Sequence, residues 1–575
     1  VFDSVLVANR GEIAVRIFAT LADLGIRSIA VYSDADADAR HVAEADTAVR
    51  LGPAPSAQSY LNVDAVVAAA VASGADAVHP GYGFLAERAA LARAVIDAGL
   101  TWIGPPASAI ETMGDKIAAK RTVAAAGVPV IPGRDEPGLD DDALIAAASS
   151  IGLPVLLKPS AGGGGKGMRL VEEEADLPGQ LTSARREART AFGDDTILVE
   201  RWVARPRHIE VQVLADGHGN TVALGERECS LQRRHQKIIE EAPSPLLDDP
   251  TRDRLGASAV DAARACGYVG AGTVELLVSG DRPDEYFFME MNTRLQVEHP
   301  VTEMVWGLDL VAWQLRVAAG EPLAPGLAQL TPHGHAMEAR IYAEDPGRGF
   351  LPSSGPVLAY AEPAGPGIRV DSSLAPGTNV GTDYDPMLAK VIAWGTDRDQ
   401  ARRRLRRALG GTVVLGVVTN TGFLCDLVDH PDVVAGDLET GLVERVLPDL
   451  VGDPTGAAGA EVAAVAGLAW ALDAEPPDEG VANVDPWDIP GGWRVGEAAT
   501  TPLDLTVDGR RVAVTVRGRA TDASVTVDDG PARSGRARWL GPGRLQVVLD
   551  GVARHWVVAG TGEDRFLTSD GHSWR

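Results

Sequence analysis

The segment Tyr286-Phe287-Phe288-Met289-Glu290-Met291-Asn292-Thr293-Arg294-Leu295-Gln296-Val297-Glu298-His299-Pro300 begins as an apolar run and ends in a cluster of charge. The apolar run predicts a buried strand on which Glu290 and Asn292 are polar exceptions sharing one face, because strand side chains alternate. A second such run, Thr273-Val274-Glu275-Leu276-Leu277, precedes it across a polar loop containing Gly280 and Pro283. The two read as an antiparallel hairpin that brings Glu275 beside Glu290 and Asn292. Carboxylates that close repel unless a cation sits between them. Oxygen ligands without His or Cys favour Mg²⁺ or Mn²⁺ bridging nucleotide phosphates over zinc. Just beyond, Arg294, Glu298 and His299 are residue types suited to holding a small anion and removing its proton. His299 precedes proline and is expected to be extended rather than helical.

Upstream, Glu226-Arg227-Glu228-Cys229-Ser230-Leu231-Gln232-Arg233-Arg234-His235-Gln236-Lys237 packs nine charged, amide or imidazole side chains into twelve positions. A solvated loop is the ordinary reading of such a run. Apolar flanks at 221–224 and 238–239, and the only lysine between 167 and 389, argue instead for a buried polar site. Residues 154–158 and 168–171 read as strands on either side of Ser160-Ala161-Gly162-Gly163-Gly164-Gly165-Lys166-Gly167. The loop fails the P-loop template: position 160 is Ser where the first glycine is required, Gly follows Lys166, and a strand rather than a helix comes next. Its consecutive glycines and Lys166 can still offer backbone N–H groups and an ammonium to a polyphosphate, as a flap would, and Lys158 points toward the same place.

Toward the N-terminus, short strands at 4–8, 28–32, 75–79 and 101–103 alternate with helices at 13–24, 62–73 and 90–98, which implies a parallel α/β sheet over residues 1–115. Ala8-Asn9-Arg10-Gly11-Glu12 follows the first strand, so a GxGxxG dinucleotide fingerprint is absent. Residues 398–407 carry six arginines, and Leu405 and Leu409 at helical spacing make them a solvated helix face rather than an anion patch. After 450 the pattern changes: a small-residue helix at 459–474, a Pro/Gly/Asp connector, then strands from 501. Asp-Gly turns at 508, 529, 550 and 570 mark an antiparallel meander, open or closed into a barrel.

The whole chain has 575 residues, with 80 Asp and Glu against 53 Lys and Arg, a net charge of -27. That balance argues against binding a phosphate backbone, and nucleic acid is not an expected partner. Three scattered cysteines without CxxC spacing indicate neither a disulfide framework nor a structural zinc site, so a reducing, cytoplasmic compartment is expected. No signal peptide or apolar run of spanning length is legible. Only six of the 53 basic residues are lysine, at 116, 120, 158, 166, 237 and 390, so each invites a reason.

The motifs MGDK (113–116), KPSAGGGGKGM (158–168), ERECSLQRRHQK (226–237) and EMNTRLQVEHPVTE (290–303) resemble biotin carboxylase of the ATP-grasp superfamily. HPGYGFLAE (79–87) and EARIYAEDP (338–346) extend the likeness, which covers about residues 1–447. The layout resembles the α subunit of a biotin-dependent acyl-CoA carboxylase, most nearly the actinobacterial 3-methylcrotonyl-CoA or broad acyl-CoA type. The resemblance implies an α/β fold in four parts: an N-terminal α/β subdomain (1–115), a linker and glycine-rich lid (116–203), a mixed C-terminal subdomain (204–447), and a helix plus antiparallel β-barrel that docks a carboxyltransferase β subunit (455–575).

It also implies a site. Lys116, Lys158, His208, Gln232 and His235 match residues around ATP phosphates and ribose, Gly163, Gly164, Gly165, Lys166 and Met168 belong to the lid, and Glu200 and Val203 bound the segment that meets adenine. Glu275 and Glu290, with Asn292, match the magnesium site. Lys237, Arg294, Gln296 and Val297 match the bicarbonate site, Glu298 the base, and Arg340 the residue stabilising the biotin enolate. The reaction implied joins ATP, Mg²⁺ (or Mn²⁺), bicarbonate and biotin through carboxyphosphate, with 3-methylcrotonyl-CoA as the final acceptor and acetyl- or propionyl-CoA as alternatives. A carbamoyl-phosphate-type ligase and a non-catalytic docking scaffold are the rival readings. Two departures stand out. Arg88 replaces the family's usual Asn after HPGYGFLAE. No lysine follows Lys390 and no methionine adjoins a lysine, so the biotin carrier domain is expected outside this chain.

Overall fold

A computed structural model describes residues 2–134, 139–159, 167–192, 194–234, 236–451, 457–475, 500–561 and 564–575. Gly163, Gly164, Gly165, Lys166 and His235, and most of the connector after 475, lie outside the described residues.

The chain opens with five parallel strands in the order Thr47–Gly52, Arg27–Ser33, Ser4–Val7, Ala77–His79, Thr101–Trp102. Val5, Leu6 and Val7 are all buried, as expected of a central strand covered on both faces. The edge strand Thr47–Gly52 was not legible because its apolar residues are interrupted by Arg50. Asn62 accepts from Ala65 N and caps the helix Val63–Ser73. Arg88 occupies the equivalent position before Ala89–Asp97 and gives no side-chain cap, the local consequence of an arginine there.

A small antiparallel sheet follows, in which Val155–Pro159 pairs with both Arg169–Val171 and Ile197–Arg201. The two strands flanking the glycine loop therefore form a hairpin, as their spacing predicts.

The central sheet positions the site. Its eight strands run Tyr286–Asn292, Gly270–Ser279, Pro206–Ala215, Thr221–Arg233, Gln236–Ala242, His335–Tyr342, Met387–Gly395, Ile368–Ser372. All of its pairings are antiparallel. Alternation divides each strand between two environments: Ile209, Val211 and Val213 join Val274 and Leu276 in an apolar cluster with the helix Asp249–Ala265, whereas His208, Glu210 and Gln212 face the other side. The charged run at 226–237 is therefore not a solvated loop. Most of it lies in two sheet strands, with Glu226, Arg227 and Glu228 buried.

The helix Arg398–Gly411 buries Leu405 and Leu409, and its arginines meet carboxylates: Arg398 at Glu241, Arg402 and Arg406 at Asp429, and Arg406 also at Asp570. After the helix Ala457–Ala474, eight antiparallel strands from Thr500 to Trp574 follow in sequence order as a half-barrel whose inner valines and leucines pack on that helix. Its ends meet through Asp508 N donating to Arg575 O at 3.0 Å. The turn residues Asp508, Asp528, Asp550 and Asp570 all have positive φ, the second lying one residue before the expected Asp529-Gly530. The last hairpin packs on the preceding region: Asp570 takes two bonds from Arg406 at 3.0 and 2.8 Å, and a Cβ on Gly571 would lie 2.5 Å from Cys425 Sγ. Among the described residues no helix is long and apolar enough to cross a membrane.

Candidate active site

Strand register assembles the site. Arg227 pairs with Glu210, Glu210 with Glu275, and Glu275 with Glu290, so one cation and three carboxylates form a row across four adjacent strands. The Glu275–Glu290 pairing is the one the hairpin reading predicts. Glu210 was missed, although its signal was the same: a single acid within the apolar run Ile209-Glu210-Val211.

Lys237, almost wholly buried, donates to three carboxylates: Glu210 Oε2 at 2.7 Å, Glu275 Oε1 at 3.0 Å and Glu298 Oε1 at 2.7 Å. Burial would weaken its ammonium, but the three acids outweigh that and push its pKa well above the usual lysine value. Arg340 Nη2 donates to Glu298 Oε2 at 2.7 Å and also pairs with Glu240. Burial alone would raise the Glu298 carboxyl, yet Lys237, Arg340 and Arg227 hold it well below the ordinary carboxylate range. Glu298 is thus an ionised carboxylate held between two cations in a buried setting.

Around it, Glu275 accepts from Asn292 Nδ2 at 2.8 Å and Gln296 Nε2 at 3.2 Å, and its other oxygen lies 3.0 Å from His208 Nε2. Arg294 donates to Gln296 Oε1 at 2.9 Å, Asn292 Oδ1 at 3.2 Å and Glu87 Oε2 at 3.0 Å. Lys237, Glu298, Arg340, Glu275, His208, Asn292, Gln296 and Arg294 therefore form one connected network. Gln232 is the register partner of Lys237 and is buried. Val297 contributes its carbonyl, which accepts from Lys390 at 2.8 Å.

A second cluster lies toward the small sheet, where Glu200 bridges Lys120 and Lys158. Burial raises the Glu200 carboxyl and the two lysines lower it further, to a net depression. Lys120 was not singled out by the motif, though its rarity as a lysine was a usable signal. Lys116 and Met168 are exposed, and Val203 is buried.

Glu290 receives no hydrogen bond from the described residues, and burial together with the charge of Glu275 raises its carboxyl. Lys116 and His208 offset only part of that effect, so the facing pair Glu275 and Glu290 fits a cation. Ligand atoms of His208, Glu210 and Glu275 also lie within 4.8 Å of one another, so an imidazole stands beside the carboxylates that the sequence reading gave to the cation. The expectation for His299 needs correction. It opens the helix His299–Trp306, with Pro300 in the first turn where a missing N–H costs nothing. Its buried ring bonds Gln296 O at 2.8 Å, whereas Glu298 lies within the network of Lys237 and Arg340.

Sequence models of known families match in succession: "Biotin carboxylase, N-terminal domain" over 1–110, "Carbamoyl-phosphate synthase L chain, ATP binding domain" over 115–325, and "Biotin carboxylase C-terminal domain" over 338–445. The biotin carboxylase of Halalkalibacterium halodurans is 48% identical over 446 residues, 78% of this chain and 98% of that protein. The chain belongs to the biotin carboxylase family. Solved biotin carboxylases share its fold: the biotin carboxylase domain of a thermophilic 2-oxoglutarate carboxylase bound to bicarbonate superposes with a TM-score of 0.75 at 42% identity, covering 79% of this chain and 99% of that one. Beyond the biotin carboxylase region, residues 459–575 match "Methylcrotonyl-CoA carboxylase, alpha-subunit, BT domain". The mitochondrial methylcrotonoyl-CoA carboxylase subunit alpha of Arabidopsis thaliana is 51% identical over 463 residues, 80% of this chain. The aligned part spans 63% of that relative's length.

Proposed function

We propose that this biotin carboxylase family member carboxylates carrier-bound biotin with bicarbonate at the expense of ATP, as the α subunit of an acyl-CoA carboxylase acting on 3-methylcrotonyl-CoA. The observation that carries the reading is the Glu298 carboxylate held 2.7 Å from both Lys237 and Arg340, beside the opposed Glu275 and Glu290.

An anion attacking a polyanion needs its repulsion suppressed and a base at the attacking oxygen. In this reading Lys237 and Arg294 hold bicarbonate, and their charge loosens its proton. That offsets the weak basicity of a carboxylate whose pKa is depressed. Glu298 accepts the proton, and the freed oxygen attacks the γ-phosphorus of ATP, giving carboxyphosphate and ADP. Glu275 and Glu290 would hold Mg²⁺, which when bound neutralises phosphate charge. Lys116, Lys158 and the glycine loop 163–166 bind the phosphates, while Glu200 keeps Lys158 in place. Carboxyphosphate then breaks down to CO₂ and phosphate, the phosphate takes the N1′ proton of biotin, and N1′ adds to CO₂, while Arg340 presents its guanidinium to the ureido oxygen, where negative charge develops.

The proposal includes two partners. A carboxyltransferase β subunit would dock on the 457–575 unit, which the α-subunit family match supports, and a biotin carrier would bring its prosthetic group to Arg340. A cytoplasmic location belongs to the same proposal, supported by three free thiols.

ADP release from the purified chain with Mg²⁺-ATP and bicarbonate, with and without free biotin, tests it. Stimulation by biotin is the expected result. The matched carbamoyl-phosphate synthase ATP-binding description favours one rival, and turnover that requires ammonia and ignores biotin would establish it.

A further inference from the structure

Behind the catalytic turn lies a lysine that the proposed reaction does not use. Lys390 is fully buried, and burying an ammonium is unfavourable unless it is paired and hydrogen-bonded. Its nearest carboxylates are Glu12 Oε2 at 3.4 Å and Asp371 Oδ2 at 3.5 Å. Its shortest contact is neither: Nζ donates to the Val297 carbonyl at 2.8 Å. The sheet places it for this purpose, since Arg340, Lys390 and Asp371 are register partners across three adjacent strands.

Val297 immediately precedes Glu298. The neighbouring carbonyl, Gln296 O, is held by His299 Nδ1 at 2.8 Å. Both peptide oxygens leading into the base are thus held, while Lys237 and Arg340 grip its carboxylate. A backbone carbonyl is a weak partner for a buried ammonium when carboxylates lie nearby. Its preference here ties the charge of the N-terminal helix Gly11–Asp23 and the strand Ile368–Ser372 to the catalytic turn.

We propose that Lys390 is a positioning residue for Glu298: by holding the Val297 carbonyl it fixes the turn that aims the base at Lys237 and Arg340. The inference rests on the reading of Glu298 as the base in the proposed function. Without the clamp the turn gains freedom, and a base misplaced by about 1 Å costs up to ~10²-fold in rate. The nucleotide lysines, which lie on other strands and helices, keep their places.

The full chain is assayed for bicarbonate- and biotin-dependent ADP release as wild type, Lys390→Met and Glu12→Gln. Lys390→Met is expected to lower kcat at least ~10-fold and to raise the KM for bicarbonate, with the KM for ATP within about twofold of wild type. A general structural weakening would raise the ATP KM as well, and that result overturns the proposal. So does a Lys390→Met kcat within about threefold of wild type. Glu12→Gln retains the Val297 clamp while removing a charge partner, and is expected to keep wild-type kcat. A kcat loss of ~10-fold or more there would assign the effect to the charge network and refute the clamp, even if Lys390→Met fails to fold. Wild-type turnover that needs neither bicarbonate nor biotin overturns the functional reading and the clamp with it, which distinguishes that failure from the others.

Discussion

Glu298→Gln separates the proton-transfer role proposed for this residue from its place in the fold. The amide is nearly isosteric, so packing is kept while a carboxylate bonded at 2.7 Å to Lys237 and at 2.7 Å to Arg340 is neutralised. Neither cation is stranded: Lys237 retains Glu210 and Glu275, and Arg340 retains Glu240. The stability lost is therefore about 2 kcal/mol, the scale of charge-assisted hydrogen bonds, and the variant folds. Catalysis suffers more, because removal of a positioned base costs ~10²- to 10⁴-fold, or about 3 to 5 kcal/mol of barrier. The nucleotide side should be untouched, since Lys120, Lys158 and Glu200 form a separate ion-pair cluster. The assay is steady-state ADP release with saturating bicarbonate and free biotin, alongside ATP binding by calorimetry. A kcat within about threefold of wild type at unchanged ATP affinity would remove Glu298 from the mechanism and leave its ion pairs as structural.

Glu290→Gln removes one member of the facing Glu275–Glu290 pair and should raise the Mg²⁺ concentration for half-maximal turnover at least ~10-fold; an unchanged Mg²⁺ titration would exclude it as a ligand. Glu12 has its carboxyl raised by burial from 4.5 to about 7. A raised folded value means its contribution to stability is present below about pH 4.5 and is lost as pH rises through about 7. Glu12→Gln should therefore gain on wild type in thermal unfolding as pH rises from 4.5 to 8.5; a difference independent of pH would contradict this. Deleting residues 455–575 should abolish co-purification with the carboxyltransferase while sparing free-biotin carboxylation, and a truncated chain that still captures the partner would refute the docking role. Gly571→Val puts a side chain against Cys425 Sγ at a φ of +87°, so the last hairpin should become protease-sensitive; unchanged protection would show that it packs elsewhere.

Much of the architecture was legible because local chemistry and tertiary context agree. The parallel N-terminal sheet follows from strands alternating with helices, and the C-terminal meander from its spaced Asp-Gly turns. The pairing of Glu275 with Glu290 follows from two apolar strands joined by a polar loop. Composition alone would make 226–237 solvent-exposed, and its apolar flanks with the isolated Lys237 pointed the other way. Glu226, Arg227 and Glu228 are buried because each charge meets an opposite one supplied by another segment: Arg252, Glu210 and Arg207. The extended reading of His299 failed, since the pre-proline preference for extended backbone is small beside the packing of a buried ring against Gln296 O.

By itself, then, the sequence marked out the candidate site residues, because polar exceptions inside apolar strands and rare lysines stand out against their surroundings. It could not determine which groups share a charge, because that depends on strand register between segments far apart in the chain. Only the tertiary structure put the ammonium of Lys237 among Glu210, Glu275 and Glu298, placed Lys120 with Lys158 on Glu200, and set Lys390 behind the turn that holds the candidate base. Ionic interactions of buried groups are decided over about 3 Å and by the loss of water around them, and neither distance nor desolvation is written in a linear order of residues.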